Sequence, residues 1–85
     1  MYKIIISKNA IKDMAHLLTK VTIQIGNAID KLADNPRPTG CKKLKGEKEY
    51  MWRIRVGDYR VLYTIEEKIS VVDVRKIGHR KNIYE

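Results

Sequence analysis

Arginines and lysines recur through the second half of the chain at a spacing suited to gripping a phosphate. Arg53 and Arg55 sit on one β-prone run and Arg60 on the next, and Gly78-His79-Arg80-Lys81 follows a third, with Tyr84 close behind. A guanidinium stays charged and offers planar donors that match phosphate oxygens. Together with the imidazole and phenol near the C-terminal end of this region, such groups can bind a phosphate and move a proton. An imidazole is the side chain that gains and loses a proton near neutral pH, which suits His79 to general acid or base work. Tyr84 could stack on a base or share in proton transfer. Lys42, Lys43 and Lys45 before this region, and Arg75, Lys76 and Lys81 within it, read as phosphate-backbone contacts. The single cysteine, Cys41, cannot form an internal disulfide, and no Cys/His cluster has zinc-site spacing. Neither a metal nor another cofactor is expected.

The elements that must position these side chains follow from one turn. Gly57-Asp58, with Gly first, is a two-residue hairpin loop that fixes the register of the strands flanking it. Val56 then faces Tyr59, Ile54 faces Val61 and Trp52 faces Tyr63, which gives one apolar side. On the other side Arg55 lies across from Arg60, and Arg53 across from Leu62. Like charges across a strand pair cost a few tenths to about 1 kcal/mol, so folding alone gives no reason to choose them and an absent anion would explain them. The plainer alternative is that the arginines splay into water. A third strand, Ile69 to Ile77, follows the Glu66-Glu67-Lys68 turn. It adds Val72 and Val74 to the apolar side and Asp73 and Arg75 to the arginine side, leaving Arg60 next to either Asp73 or Arg75 according to register.

The first half supplies the cover. Residues 2–6 read as a strand that stops at Ser7, a residue suited to capping a helix. Ile11, Met14, Ala15 and Leu18 recur at helical spacing over Lys8 to Leu18, and Val21, Ile25, Ala28, Ile29 and Leu32 over Lys20 to Ala33. Gly26, at about 1 kcal/mol relative to Ala, implies a close helix contact or a bend. Asn35-Pro36-Arg37-Pro38-Thr39-Gly40 ends the helical half, and Lys42 to Lys45 adds at most a short edge segment. The expectation is α+β: two N-terminal helices packed on one face of a small, mainly antiparallel four-stranded sheet, β-α-α-β-β-β, in one domain spanning 1–85. His16, Met14 and Trp52 read as boundary or packing residues.

Composition agrees: 44% hydrophobic and 33% charged residues suit a folded globule. The 18 Lys and Arg against 10 Asp and Glu leave a net charge of +8, which favours polyanionic partners. No apolar run approaches the roughly 20 residues that span a bilayer, and Met1 to Ile6 is too short for a signal-peptide core, so a cytoplasmic protein without a membrane role is expected.

The string Trp52-Arg53-Ile54-Arg55-Val56-Gly57-Asp58-Tyr59-Arg60-Val61-Leu62-Tyr63, followed by Lys76-Ile77-Gly78-His79-Arg80 and Tyr84, resembles the RelE branch of the RelE/ParE toxin superfamily. Asn35-Pro36-Arg37-Pro38 before Lys43-Leu44-Lys45-Gly46 extends the resemblance over nearly the whole chain. It implies a type II toxin that enters the ribosomal A site and cuts mRNA there without a metal, held inactive by a cognate antitoxin through whose complex operator DNA is also a possible partner. It implies that Arg53, Arg55, Arg60, Arg80 and Tyr84 carry catalysis. The chain departs from some members in having arginine at both Arg53 and Arg55, where lysine stands, and His79 where lysine stands. Two rival readings share the fold: a ParE-like gyrase inhibitor, and a non-catalytic nucleic-acid-binding repressor subunit.

Overall fold

The computed structural model describes residues 1–46 and 49–83. β1 (Lys3–Ile6) leads into α1 (Lys8–Ala15) and α2 (Thr19–Lys31), and then β2 (Lys42–Lys45), β3 (Tyr50–Val56), β4 (Tyr59–Glu66) and β5 (Val71–His79). The strands form one sheet in the order β1-β5-β4-β3-β2, with β1 parallel to β5 and every other pairing antiparallel. The sheet therefore has five strands, one more than expected, because Lys42–Lys45 pairs fully with β3.

Ser7 caps α1 through its hydroxyl, which accepts the Ala10 N–H at 3.2 Å. The helix stops at Ala15, short of the expected Leu18. Leu18 is extended at the start of α2 and 77% exposed, outside the apolar stripe to which its spacing assigned it. α2 runs unbroken through Gly26, where an added Cβ would meet nothing within 4 Å. The glycine reflects no close helix contact.

Ala10, Ile25, Ile29 and Leu32 pack on Ile54, Val61, Tyr63, Val72, Val74 and Ile77, so the helices cover one face of the sheet. Burying each large aliphatic side chain contributes about 1.5–3 kcal/mol. Tyr63 is fully buried, and its hydroxyl donates to the Pro36 carbonyl at 2.7 Å. That bond pins the proline loop, and burial raises the phenol's pKa well above its usual value.

Gly57 has φ +59, the left-handed geometry expected of the first residue in this hairpin loop, and the predicted β3–β4 register is the one observed. β5 departs from the simple alternation. Leu62 pairs with Lys76 but Tyr63 with Val74, so Arg75 is bulged out of the β4–β5 ladder. The Asp13 carboxylate on α1 accepts the Ile77 N–H at 3.0 Å and holds the strand just past the bulge.

Candidate functional site

The face of the sheet turned away from the helices carries the cations. Lys42, Arg53, Leu62 and Lys76 form one row across it, and Arg55, Arg60 and Gly78 the next. Arg60 thus faces Gly78, whereas sequence spacing placed it next to either Asp73 or Arg75. The bulge and the three-residue turn Glu67–Ile69 move both of those residues away from it.

Arg53 is only 8% exposed, and its Nε has no hydrogen-bond partner. A buried guanidinium donor left unpaired is unfavourable by about 1–3 kcal/mol or more, and an anion at this position would relieve it. Arg55 is exposed one row further along. Arg60 folds onto its own hairpin, Nη1 donating to the carbonyls of Gly57 at 3.0 Å and Tyr59 at 2.9 Å. The anchoring fixes the guanidinium and leaves its other nitrogens for a ligand.

Arg80 joins the same end of the sheet. Its N–H donates to the Asp58 carbonyl at 2.8 Å, and its Nε lies 3.7 Å from the Asp58 carboxylate. Both side chains are more than half exposed, so the pair is loose and an incoming phosphate can compete for the cation. The following turn lays Ile83, 2% exposed, against the arginine face, and a Cβ on Gly78 would stand 3.0 Å from its Cδ1. A side chain at position 78 would therefore press on the Ile83 side chain.

His79 is not brought to this face. Because Arg75 is extra, Ile77 and His79 fall on the helix-covered side, where His79 pairs with Tyr59 and meets its ring edge-on at 5.5 Å. Its Nδ1 accepts the Lys81 N–H at 3.2 Å, so the neutral ring carries its proton on Nε2. Tyr84 lies outside the described residues.

The expected phosphate contacts divide. Lys42 and Lys76 stand in the Arg53 row. Lys43 lies opposite Trp52, with its ammonium 4.1 Å from the Tyr50 ring centroid and 5.7 Å from that of Trp52, away from the arginines. Arg75 is drawn to Glu49 at 3.7 Å and Asp73 at 3.6 Å. Lys81 is exposed on the terminal turn. A groove of about 620 Å³ lies on the same side of the sheet, lined by Leu44, Met51, Leu62 and Ile83 and by Lys45, Arg75 and Lys76, and not by Arg53, Arg55, Arg60 or Arg80. Among the described residues no cluster of three or more His, Cys, Asp or Glu could hold a metal ion, and no helix is long and apolar enough to cross a membrane.

Sequence reasoning missed Asp13, Asp58 and Ile83. Asp58 was visible only as a turn former and Ile83 only as one apolar residue near the end. Nothing in the pattern of α1 marks Asp13 as the partner of a distant strand.

Residues 4–84 match the family described as ParE toxin of type II toxin-antitoxin system, parDE. The RelE1 protein of Methanocaldococcus jannaschii is 30% identical over 99% of this chain and 96% of its own length. Among solved structures, a chain of the archaeal RelE–RelB complex from Pyrococcus horikoshii OT3 superposes with a TM-score of 0.83 at 28% identity, covering 95% of this chain and 97% of that one. A chain of the RelB–RelE antitoxin–toxin complex from Methanococcus jannaschii gives 0.74 at 26% identity, covering 95% of each.

Proposed function

The chain belongs to the RelE/ParE superfamily of type II toxins, and we propose that it is a RelE-like endoribonuclease that cleaves mRNA in the ribosomal A site. The observation that carries this reading is Arg53, nine-tenths buried with its Nε unpartnered, in the row beside Arg55 and Arg60. A scissile phosphate is the anion proposed to complete it.

In the proposed reaction the RNA 2′-oxygen loses its proton and attacks the adjacent phosphorus, and the bond from phosphorus to the 5′-oxygen breaks. The 5′-oxygen takes up a proton, leaving a 2′,3′-cyclic phosphate and a free 5′-hydroxyl. Arg53, Arg60 and Arg80 stabilise the charge that builds on the non-bridging oxygens, and Arg55 orients the backbone. Guanidiniums do not deprotonate, so the proton steps fall to another group. Tyr84 is the proposed residue for that work. His79, on the other side of the sheet, is proposed to brace the strand end that carries Arg80. Lys42, Lys43, Lys45, Arg75, Lys76 and Lys81 are proposed to contact RNA phosphates of the message or ribosome.

The expected partner is a cognate antitoxin, as in the RelE–RelB complexes. An acidic or amphipathic segment of it would cover the arginine face and its apolar groove. The proposed compartment is the cytoplasm, where ribosomes work. A gyrase-directed activity is the second reading, favoured by the ParE description of the matched family. Primer extension on mRNA after induction separates them. The nuclease reading requires cuts within translated codons that vanish in Arg80→Ala; DNA breaks with intact message would replace it by the gyrase reading.

A further inference from the structure

The β2–β3 edge carries a second cavity on the other side of Arg55. β2 begins at Lys42, opposite Arg53, so Ile54 to Val56 has β4 on one side and, among the described residues, no strand on the other. Val56 and Tyr59 flank the two-residue loop and close the hairpin as its hydrogen-bonded pair. By alternation, Arg55 and Arg60 exchange no backbone hydrogen bonds, and the N–H and C=O of Arg55 turn toward the open edge.

A cavity of about 420 Å³ adjoins that edge, walled by Gln24, Asn27 and Lys31 of α2, Thr39 and Gly40 of the proline loop, and Arg55. Gln24, Asn27 and Lys31 recur at helical spacing beside the buried stripe of α2, so they line one side together. The opposite wall is a tight turn: the Cys41 N–H donates to the Pro38 carbonyl at 3.0 Å, and Gly40 takes φ +90 to close it. Volumes of about 300–1,000 Å³ are typical of small-molecule sites.

We propose that this cavity binds one nucleotide of the RNA strand, with the base between α2 and the Pro38–Cys41 turn and the phosphate toward Lys31 and Arg55. The inference rests on RNA being the substrate of the arginine face. Each nucleobase presents donors and acceptors side by side on its edge. The cavity answers with two carboxamides, each both donor and acceptor, and with the N–H and C=O of Arg55. Lys31 brings a cation to it and, among the described residues, no carboxylate lines it, which suits a phosphate. Arg55 joins the two sites: its side chain stands in the arginine row while its backbone borders the cavity. A strand whose phosphate lies at Arg55 and Arg60 brings a neighbouring nucleotide over this edge. A peptide strand fits less well, because only three residues of edge are open and the chain from Pro38 to Lys42 stands at their end.

The test is amide NMR on the full chain titrated separately with AMP, GMP, CMP and UMP, and in parallel with an acidic peptide. At least one nucleotide should give saturable shifts at the Gln24 and Asn27 side chains and at Thr39, Gly40 and Arg55. The Gln24→Ala/Asn27→Ala double variant should raise its Kd at least tenfold. No shift at these positions, an unchanged Kd in the double variant, or saturation by the peptide alone would overturn the proposal. Message cleavage by the wild type is scored independently. Cleavage without nucleotide shifts removes the cavity and spares the nuclease, whereas shifts without cleavage remove the nuclease and leave a nucleotide site.

Discussion

The two faces of the sheet solve opposite problems with the same alternating strands. On the helix-covered face Ile54, Val61, Tyr63, Val74 and Ile77 meet Ile25, Ile29 and Leu32, and the one buried hydroxyl, that of Tyr63, has its acceptor in Pro36. On the other face Arg53 is buried with an orphaned donor, Arg55 is aligned with Arg60, and Asp73 keeps a buried oxygen without a partner. The first arrangement lowers the energy of the isolated chain. The second raises it, and such features persist when a ligand gains from what the fold gives up.

Substitutions should separate the faces. Tyr63→Ala removes a fully buried ring and its bond to Pro36 and should destabilise by about 3–5 kcal/mol in denaturant unfolding. Any loss of activity should follow the folded fraction. Arg60→Ala should reverse that pattern, slowing single-turnover cleavage by about 100-fold or more while the unfolding free energy changes by about 1 kcal/mol for its bonds to exposed hairpin carbonyls. Asp13→Ala tests the link between the faces. It leaves the Ile77 N–H without its carboxylate acceptor, at about 1.5 kcal/mol, and hydrogen exchange at Ile77 should speed up more than at Val61 on the neighbouring strand.

The smallest effect belongs to the rim. Glu67 accepts from the Tyr2 hydroxyl and pairs with Arg37 at 2.6 Å, while Arg37 lies over Trp52 at 4.8 Å. The Tyr2 hydrogen bond first, and the Arg37 bond next, hold the Glu67 carboxyl below its usual pKa. A carboxylate with a depressed folded pKa stabilises the fold above its ordinary pKa, and that contribution is lost as pH falls through the depressed value. Glu67→Gln should therefore lower Tm slightly near neutrality and converge on the wild type as pH falls below the carboxylate range, so that the profile flattens on the acid side.

The helix-covered face could be read from residue types because its rules are local: a glycine-first hairpin loop sets register, and period-two alternation then selects Trp52, Ile54 and Val56 for burial. The same turn placed Arg53, Arg55 and Arg60 correctly. Alternation failed at Arg75. A bulge inserts one residue without any signature in Val74-Arg75-Lys76, and every later side chain changes face, which is why His79 leaves the arginines; together with the longer β4–β5 turn it puts Gly78 in place of Asp73 or Arg75 opposite Arg60. Burial of Arg53 was equally hidden, since it depends on tertiary contacts to a residue type that is ordinarily exposed. The extra edge strand Lys42–Lys45 is a matter of pairing: four residues, three of them lysine, have little strand preference until β3 offers its edge.

The most direct measurement takes Arg53→Met, which replaces the buried guanidinium with an apolar side chain of similar length, and records unfolding free energy and message cleavage on one preparation. If the arginine is kept for a phosphate, stability should hold or rise while single-turnover cleavage falls about 100-fold or more. Cleavage at the wild-type rate, or a loss of stability that accounts for the whole loss of activity, would contradict it.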